Sequence, residues 1–321
     1  MNSRSVSVTG ATGFVGRHIV EAFYQAGWRV RAIVRPGGQR PALANAEVCE
    51  APLAHRPLAS VIAGSDVIVH AAGLTRAGDA AALDRVNVGG TRAVVDAAND
   101  CRARLVHLSS QAAIGVGTID RPARDADPPR PVNPYGRSKM QGERVVREHA
   151  SIPWVILRPC AVYGPGDRQF LPLIRLAARG MFPLVGSPTF AITLVYVEDL
   201  ARAVVLAAEH DEVQGDAMFI ARAEPQTPEG LWTAMAEHLG RPYRPRKVPV
   251  ALARIVARCG DVSWRLGYRP ILDSARLSEL TAEGFVCTVD RARARLGFTA
   301  EVPLPEGLAR TVRWYRDRAW V

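Results

Sequence analysis

Long apolar runs, paired cysteines and concentrated basic charge are all missing from this chain of 321 residues, and each absence excludes something. No stretch approaches the ~20 consecutive apolar residues that a membrane span requires. The N-terminal Met1–Ser5 leads into a strand-like segment without the apolar core of a signal peptide. A soluble cytoplasmic protein with no membrane partner is therefore expected. The five cysteines, Cys49, Cys101, Cys160, Cys259 and Cys287, are odd in number and never form a CxxC pair, so neither a disulfide framework nor a metal cage is indicated. Reduced thiols and no bound metal are the expectation. The formal charge of +10 comes from arginines dispersed along the chain, with no basic block interleaved with aromatics; this argues against a nucleic-acid partner and suits an anionic small molecule. Internal repeats and low-complexity tracts are absent as well.

What is present is a large apolar fraction, 48%, enough to bury a sizeable core, arranged in alternating periods. Ser5–Thr9 reads as a strand, and Val15, Ile19, Ala22, Phe23 and Ala26 then recur at helical spacing up to Gly27. Further strands are predicted at 29–34, 46–49, 66–70, 105–108 and 154–157, with helices near 84–100 and 135–149. Strands separated by helix-length segments imply right-handed crossovers, hence an α/β doubly wound parallel sheet. Beyond Arg158 the pattern loosens. Helices are expected at 170–179, 198–209, 229–239 and 305–315, and the amphipathic 249–264 stretch is expected to pack on the core rather than lie on a membrane surface. The division predicted is a dinucleotide-binding domain over 1–165, with segments of 190–225 returning to it, and a smaller substrate-binding lobe over 166–321.

The first strand runs into Thr9-Gly10-Ala11-Thr12-Gly13-Phe14-Val15-Gly16. Glycines at three-residue intervals between a strand and a helix allow a sharp turn, a close approach of backbone to a pyrophosphate, and tight packing of helix on sheet. The helix N-terminus supplies free N–H groups and a favourable dipole. About twenty residues on, where an acid would accept from the ribose 2′-hydroxyl of NAD, the second strand ends Val34-Arg35-Pro36. A guanidinium there suits a 2′-phosphate, so NADP(H) is the preferred cofactor and NAD(H) the alternative.

Asn133-Pro134-Tyr135-Gly136-Arg137-Ser138-Lys139 opens a predicted helix, and the i, i+4 spacing puts the Tyr135 phenol and the Lys139 ammonium on one face. A phenol with a pKa near 10 shuttles protons poorly at neutral pH unless a nearby cation stabilises the phenolate. Ser109-Ser110 stands at the C-terminal end of the preceding strand, where ligands of parallel sheets collect. Ser110 is placed to donate to a substrate carbonyl.

In order along the chain, TGATGFVG, Ala71-Ala72-Gly73, Asn87 before Val88-Gly89-Gly90-Thr91, Ser109-Ser110, YGRSK, LRPCAVYGPGD at 157–167 and YVEDL at 196–200 together resemble the extended short-chain dehydrogenase/reductases. This group is also called the NAD-dependent epimerase/dehydratase family, and the likeness spans almost the whole chain. The resemblance implies a Rossmann fold with a smaller C-terminal lobe. It implies a catalytic set of Tyr135 as acid/base, Lys139 lowering its pKa and binding the nicotinamide ribose, and Ser110 orienting the substrate oxygen. Ser110 is taken over Ser109 because it matches the family's spacing to Gly115. The cofactor contacts implied are Gly10, Thr12, Gly13, Phe14, Val15, Gly16, Arg35, Leu53, Ala71, Ala72, Gly73, Asn87, Tyr135, Lys139, Pro159 and Val162. A homodimer is implied too, pairing the helix after Asn87 with the one carrying Tyr135; Ala93, Val94, Ala97, Val145 and Val146 are compatible with that interface and with burial against the sheet.

Three departures narrow the chemistry. Pro52-Leu53 replaces the family's Asp-Leu, whose carboxylate reads the adenine amino group; Cys160-Ala161 replaces an Asn that contacts the phosphates of nucleotide sugars; and Gln111-Ala112 replaces the Asp-Glu of sugar dehydratases. The function expected is hydride transfer between NADP(H) and a small-molecule ketone/secondary alcohol pair, as in the dihydroflavonol-reductase-like and 3β-hydroxysteroid-dehydrogenase-like branches. A nucleotide-sugar 4-epimerase using the same three residues is the alternative enzyme, and a non-catalytic dinucleotide-binding regulator the alternative from another class. Arg76, Arg168, Gln169 and Phe190 are candidate pocket residues, and Arg222, Arg269 and Arg276 candidate phosphate ligands.

Overall fold

The structure, a computed structural model, describes residues 4–38, 43, 45–187 and 189–321, so Met1–Ser3 of the stretch read for a leader lie outside it. β1 (Ser5–Thr9) is buried throughout, as befits a parallel strand covered on both faces. It is followed by α1 (Phe14–Gln25), β2 (Arg29–Val34), β3 (Glu47–Glu50), α2 (His55–Ile62) and β4 (Val67–His70). Next come a short α3 (Ala80–Leu83), a π-helical turn over Asp84–Gly89, α4 (Gly90–Cys101), β5 (Arg104–Leu108), α5 (Pro134–His149) and β6 (Trp154–Pro159). The remainder runs β7 (Ala161–Tyr163), α6 (Leu171–Ala178), β8 (Phe182–Leu184), β9 (Leu194–Tyr196), α7 (Val197–Glu209) and β10 (Asp216–Ile220). It ends with α8 (Pro228–Leu239), β11 (Pro245–Lys247), α9 (Val250–Arg265), α10 (Ser274–Leu280), α11 (Asp290–Leu296) and α12 (Leu304–Asp317).

Seven strands form one sheet in the order β10-β6-β5-β4-β1-β2-β3, with every pairing parallel. The fold is the doubly wound Rossmann type. Alternate residues face opposite sides. Val6, Val8, Val69, Val106 and Val155 pack with Ile19 and Phe23 of α1 and with Leu200 and Val204 of α7. Ile68, Leu105 and Ile156 pack on the other side with Leu58, Ile62, Val94 and Val146. Each such fully buried aliphatic side chain contributes about 1.5–3 kcal/mol. A third cluster, including Tyr163, Ile174, Leu231, Trp232, Leu308 and Tyr315, unites α6, α8 and α12 beyond the sheet.

The chain order reverses at β1 and β4, whose register pairs Thr9 with His70. The loops at Gly10 and Ala71 therefore leave side by side at the carboxyl ends, the crevice in which open α/β sheets bind ligands.

Two readings change. Ala93, Val94, Ala97 and Val146 are buried within the single chain, so the sheet accounts for them and they carry no argument for a dimer. α9 does not pack its bulky residues inward: its buried positions are Ala253, Ala257 and Gly260, while Leu252, Ile255 and Val256 are exposed. Close approach is the reason. A Cβ on Gly260 would come within 2.0 Å of the Leu272 carbonyl oxygen, so only small side chains fit that face.

Candidate active site

The glycine loop is shaped by backbone contacts. Gly10 has φ +72°, and a Cβ there would stand 2.6 Å from the Ala72 nitrogen. A Cβ on Gly16 would reach 2.1 Å from the Gly10 carbonyl oxygen, so α1 begins pressed against the turn that precedes it. Gly13 caps α1 with no side-chain cap and no acid in the first turn. The end of that helix thus presents N–H groups and a positive dipole to the crevice, an arrangement that fits a dinucleotide pyrophosphate. Thr12 is exposed beside it, Phe14 packs edge-on against His18, and Val15 joins the core.

The Ala71–Gly73 segment abuts this loop. The Ala72 N–H reaches the Thr9 hydroxyl at 3.4 Å, and a Cβ on Gly73 would lie 3.1 Å from Asn87 Oδ1 and 3.9 Å from Lys139 Nζ. The Asn87 amide is fully engaged by the protein: Oδ1 accepts from Leu74 N at 2.8 Å, and Nδ2 donates to Leu74 O at 2.8 Å and to Ser138 Oγ at 2.9 Å. Asn87 therefore ties the loop after β4 to α5, and the wide π turn that carries it aims it there. Its amide thereby fixes the distance between the loop after β4 and α5.

Asn133 starts α5 by accepting from Gly136 N at 2.8 Å, with Pro134 at the first helical position. Tyr135 and Lys139 then follow one turn apart on the side facing β5. Ser109 Oγ donates to Glu143 Oε1 at 2.6 Å, which takes that hydroxyl out of the crevice. Ser110 caps the short turn Gln111–Ala113, its Oγ accepting from Ala112 N at 3.2 Å, and its hydroxyl is hydrogen-bonded to the Tyr135 phenol. That bond favours the phenolate.

Burial nevertheless dominates, and pushes Tyr135 up to about 12, with Glu279 adding to the rise. The expected lowering by Lys139 is not what the protein's own groups produce. The Lys139 ammonium instead donates to the Leu108 carbonyl at 2.6 Å, and burial lowers it to about 8 against the opposing pull of Glu143.

Beneath these residues lies a foundation that sequence reading missed. Arg158 donates to both Glu143 oxygens, at 2.9 and 2.7 Å and buried, and to Asp125 O at 2.8 Å, part-buried. One ion pair thus locks the ends of β5 and β6 to the middle of α5; removing one partner of such a pair costs about 3–5 kcal/mol. His70 and His107 lie near Lys139 with their rings tilted 35° to each other and centroids 5.3 Å apart, both held well toward the neutral form by burial. Glu279 of α10 accepts from Asn133 Nδ2 at 2.6 Å, which brings the C-terminal part of the chain against the helix bearing Tyr135. None of these pairings has a local signature, since each joins residues far apart in the chain.

The other sequence candidates separate. Arg35 is exposed at the end of β2, in a turn where its carbonyl accepts from Gly38 N. Leu53 rests over Gly90, Pro159 ends β6, and Val162 packs at the core's edge. Arg76 pairs with Asp273, Gln169 contacts Thr75, Phe190 is buried, and Arg168 lies over the Trp320 ring. Of the proposed phosphate ligands, Arg222 pairs with Glu224 and Arg276 with Glu279, whereas Arg269 is exposed on the segment between α9 and α10.

Residues 6–221 match the profile of the NAD dependent epimerase/dehydratase family. The chain is 31% identical over 320 residues to a ceramide reductase of Caulobacter vibrioides, covering 98% of this chain and 96% of that protein. It is also 31% identical to a Stigmatella aurantiaca ketoreductase of 4-hydroxy-2-methyl-3-oxo-4-farnesyl-3,4-dihydroquinoline-1-oxide, covering 94% and 93%. Among solved structures, MoeE5 in complex with UDP-glucuronic acid and NAD superposes with a TM-score of 0.78 at 26% identity, over 98% of this chain and 99% of that one.

Proposed function

The chain belongs to the NAD dependent epimerase/dehydratase family and is an NAD(P)-dependent oxidoreductase, and from that premise we propose that it is an NADP(H)-dependent reductase of a weakly charged ketone, acting through Ser110, Tyr135 and Lys139. The turn at Gly10 and Gly13, against which Gly16 packs α1, would hold the pyrophosphate, and Arg35 would meet the 2′-phosphate. Bound NADPH supplies the hydride. Ser110 donates to the substrate carbonyl and fixes its orientation, and Tyr135 gives its proton to the oxygen as the alcohol forms. Its raised pKa keeps that proton in place at neutral pH. Lys139, held by Leu108 O and close to Gly73, would bind the nicotinamide ribose of the cofactor.

The observation that carries the reading is the division of labour between the adjacent serines: Ser109 is bound to Glu143, and Ser110 is hydrogen-bonded to Tyr135, so that a substrate oxygen placed between them would meet both hydroxyls. The solved relative that binds UDP-glucuronic acid favours a second reading, a nucleotide-sugar 4-epimerase. Against it, Cys160 is buried 3.2 Å from Cys287 among apolar side chains, and two of the three candidate phosphate-binding arginines are already paired. Absorbance of NADPH followed against aromatic, steroidal and aliphatic ketones, with UDP-sugars in parallel, tests the choice. Net NADPH loss with a neutral ketone is expected, and UDP-sugar interconversion without net loss would reverse it.

We also take the enzyme to be a cytoplasmic homodimer pairing α4 and α5 through their outward residues. Light scattering at micromolar concentration is expected to give twice the chain mass, and a monomer would reject this.

A further inference from the structure

α9 and the segment after it turn a bulky apolar surface outward. Leu252, Ile255, Val256, Val262, Leu266, Tyr268 and Ile271 each expose between 49% and 71% of their surface. On α9 the spacing Leu252, Ile255, Val262, Leu266 draws one stripe along the helix, away from the buried Ala253, Ala257 and Gly260. Arg254, Arg258 and Arg265, at spacings of four and seven, form a row along one border of that stripe, and Arg269 follows it. All four are exposed, and among the described residues none pairs with a carboxylate. The one acid of the helix, Asp261, is held by Ser274 through N at 3.0 Å and Oγ at 2.5 Å.

We propose that this face docks on an anionic phospholipid bilayer, the apolar stripe entering the interface and the arginine row meeting phosphate headgroups. An apolar stripe bordered by unpaired cations is the pattern of a helix lying in the plane of a membrane surface. A second copy of the chain would bring the same four unpaired arginines to one contact against a single acid of the helix, Asp261, which Ser274 already holds. The surface also has a fixed place beside the crevice. Trp264 packs against Gly78, where a Cβ would be 2.8 Å from Trp264 Cβ, and its Nε1 donates to Asp273 at 3.1 Å. Asp273 in turn pairs with Arg76, three residues beyond Gly73. Docking by this face holds the mouth of the crevice against the membrane. The proposal stands without the reductase reading, because vesicle binding requires no turnover.

The test is co-sedimentation of the full chain with vesicles of equal parts phosphatidylglycerol and phosphatidylcholine, and with phosphatidylcholine alone. Binding to the anionic vesicles is expected, weakening with salt, and at least tenfold weaker for Ile255→Glu/Val262→Glu and for Arg258→Glu/Arg265→Glu. These positions are exposed, and unchanged NADPH binding by the variants shows that they are folded. No binding to anionic vesicles, or binding that both variants retain, overturns the proposal. So does an oligomer that the apolar variant dissociates without any vesicle binding by the wild type, which makes the face a contact between copies.

Discussion

Ser109 Oγ donates to Glu143 Oε1 at 2.6 Å, so of two neighbouring hydroxyls one is anchored to the buried ion pair and the other stands with the Tyr135 phenol. Ser110→Ala is therefore expected to lower kcat by roughly 10²-fold, the effect of removing one donor to a developing oxyanion. Ser109→Ala, which removes a buried hydrogen bond to a carboxylate, is expected to cost about 1.5–3 kcal/mol of stability and to leave kcat within a few-fold. Steady-state kinetics and urea unfolding of both variants separate the roles, and the reverse pattern would reassign the donor.

Arg35, exposed at the end of β2, is the group proposed to recognise a 2′-phosphate. Loss of one charge-assisted contact costs about 1.5–3 kcal/mol. Arg35→Ala is thus expected to weaken NADPH by roughly tenfold or more while leaving NADH nearly unchanged. Fluorescence titration of both cofactors checks this. Equal losses, or a wild-type preference for NADH, would remove the assignment.

Lys139 carries a pH dependence whose sign follows from burial. Its pKa is lowered from 10.5 to about 8, so the ammonium is present below pH 8 and lost as the pH rises through that value. Because kcat/KM for the cofactor reports the free enzyme, it is expected to fall about tenfold per unit above pH 8. Lys139→Arg, which stays charged, should lose that limb even if its plateau is lower. A wild-type profile flat to pH 10 would contradict an essential ammonium whose pKa burial has lowered to about 8.

Much of this was legible from local pattern. The period-2 and helical periods located every strand from β1 to β6, the Asn-Pro pair marked the start of α5, and the glycine spacing marked the crevice. β3 and α6 shifted by a residue, as element ends do. Short elements such as α2, α10, α11 and the edge strand β10 went unread because their apolar periods are brief; at the site, what escaped depends on distant partners. Asn87 is a tie between Leu74 and Ser138, Glu143 and Arg158 form a pair hidden under the site, and Glu279 reaches Asn133 from far along the chain. α9 misled for the same reason. Its amphipathic pattern is real, but Gly260 pressed on Leu272 decides which face goes inward.

The most direct measurement is transfer of deuterium from NADPH labelled at the hydride position to a ketone substrate, compared between wild type and Tyr135→Phe. The expected result is label on the carbinol carbon with wild type, with turnover reduced by at least 10²-fold in Tyr135→Phe although NADPH binds nearly as well. Near-normal transfer by Tyr135→Phe, or no transfer by wild type to any ketone that it binds, would contradict the assignment of Tyr135 as the proton donor of a ketone reductase.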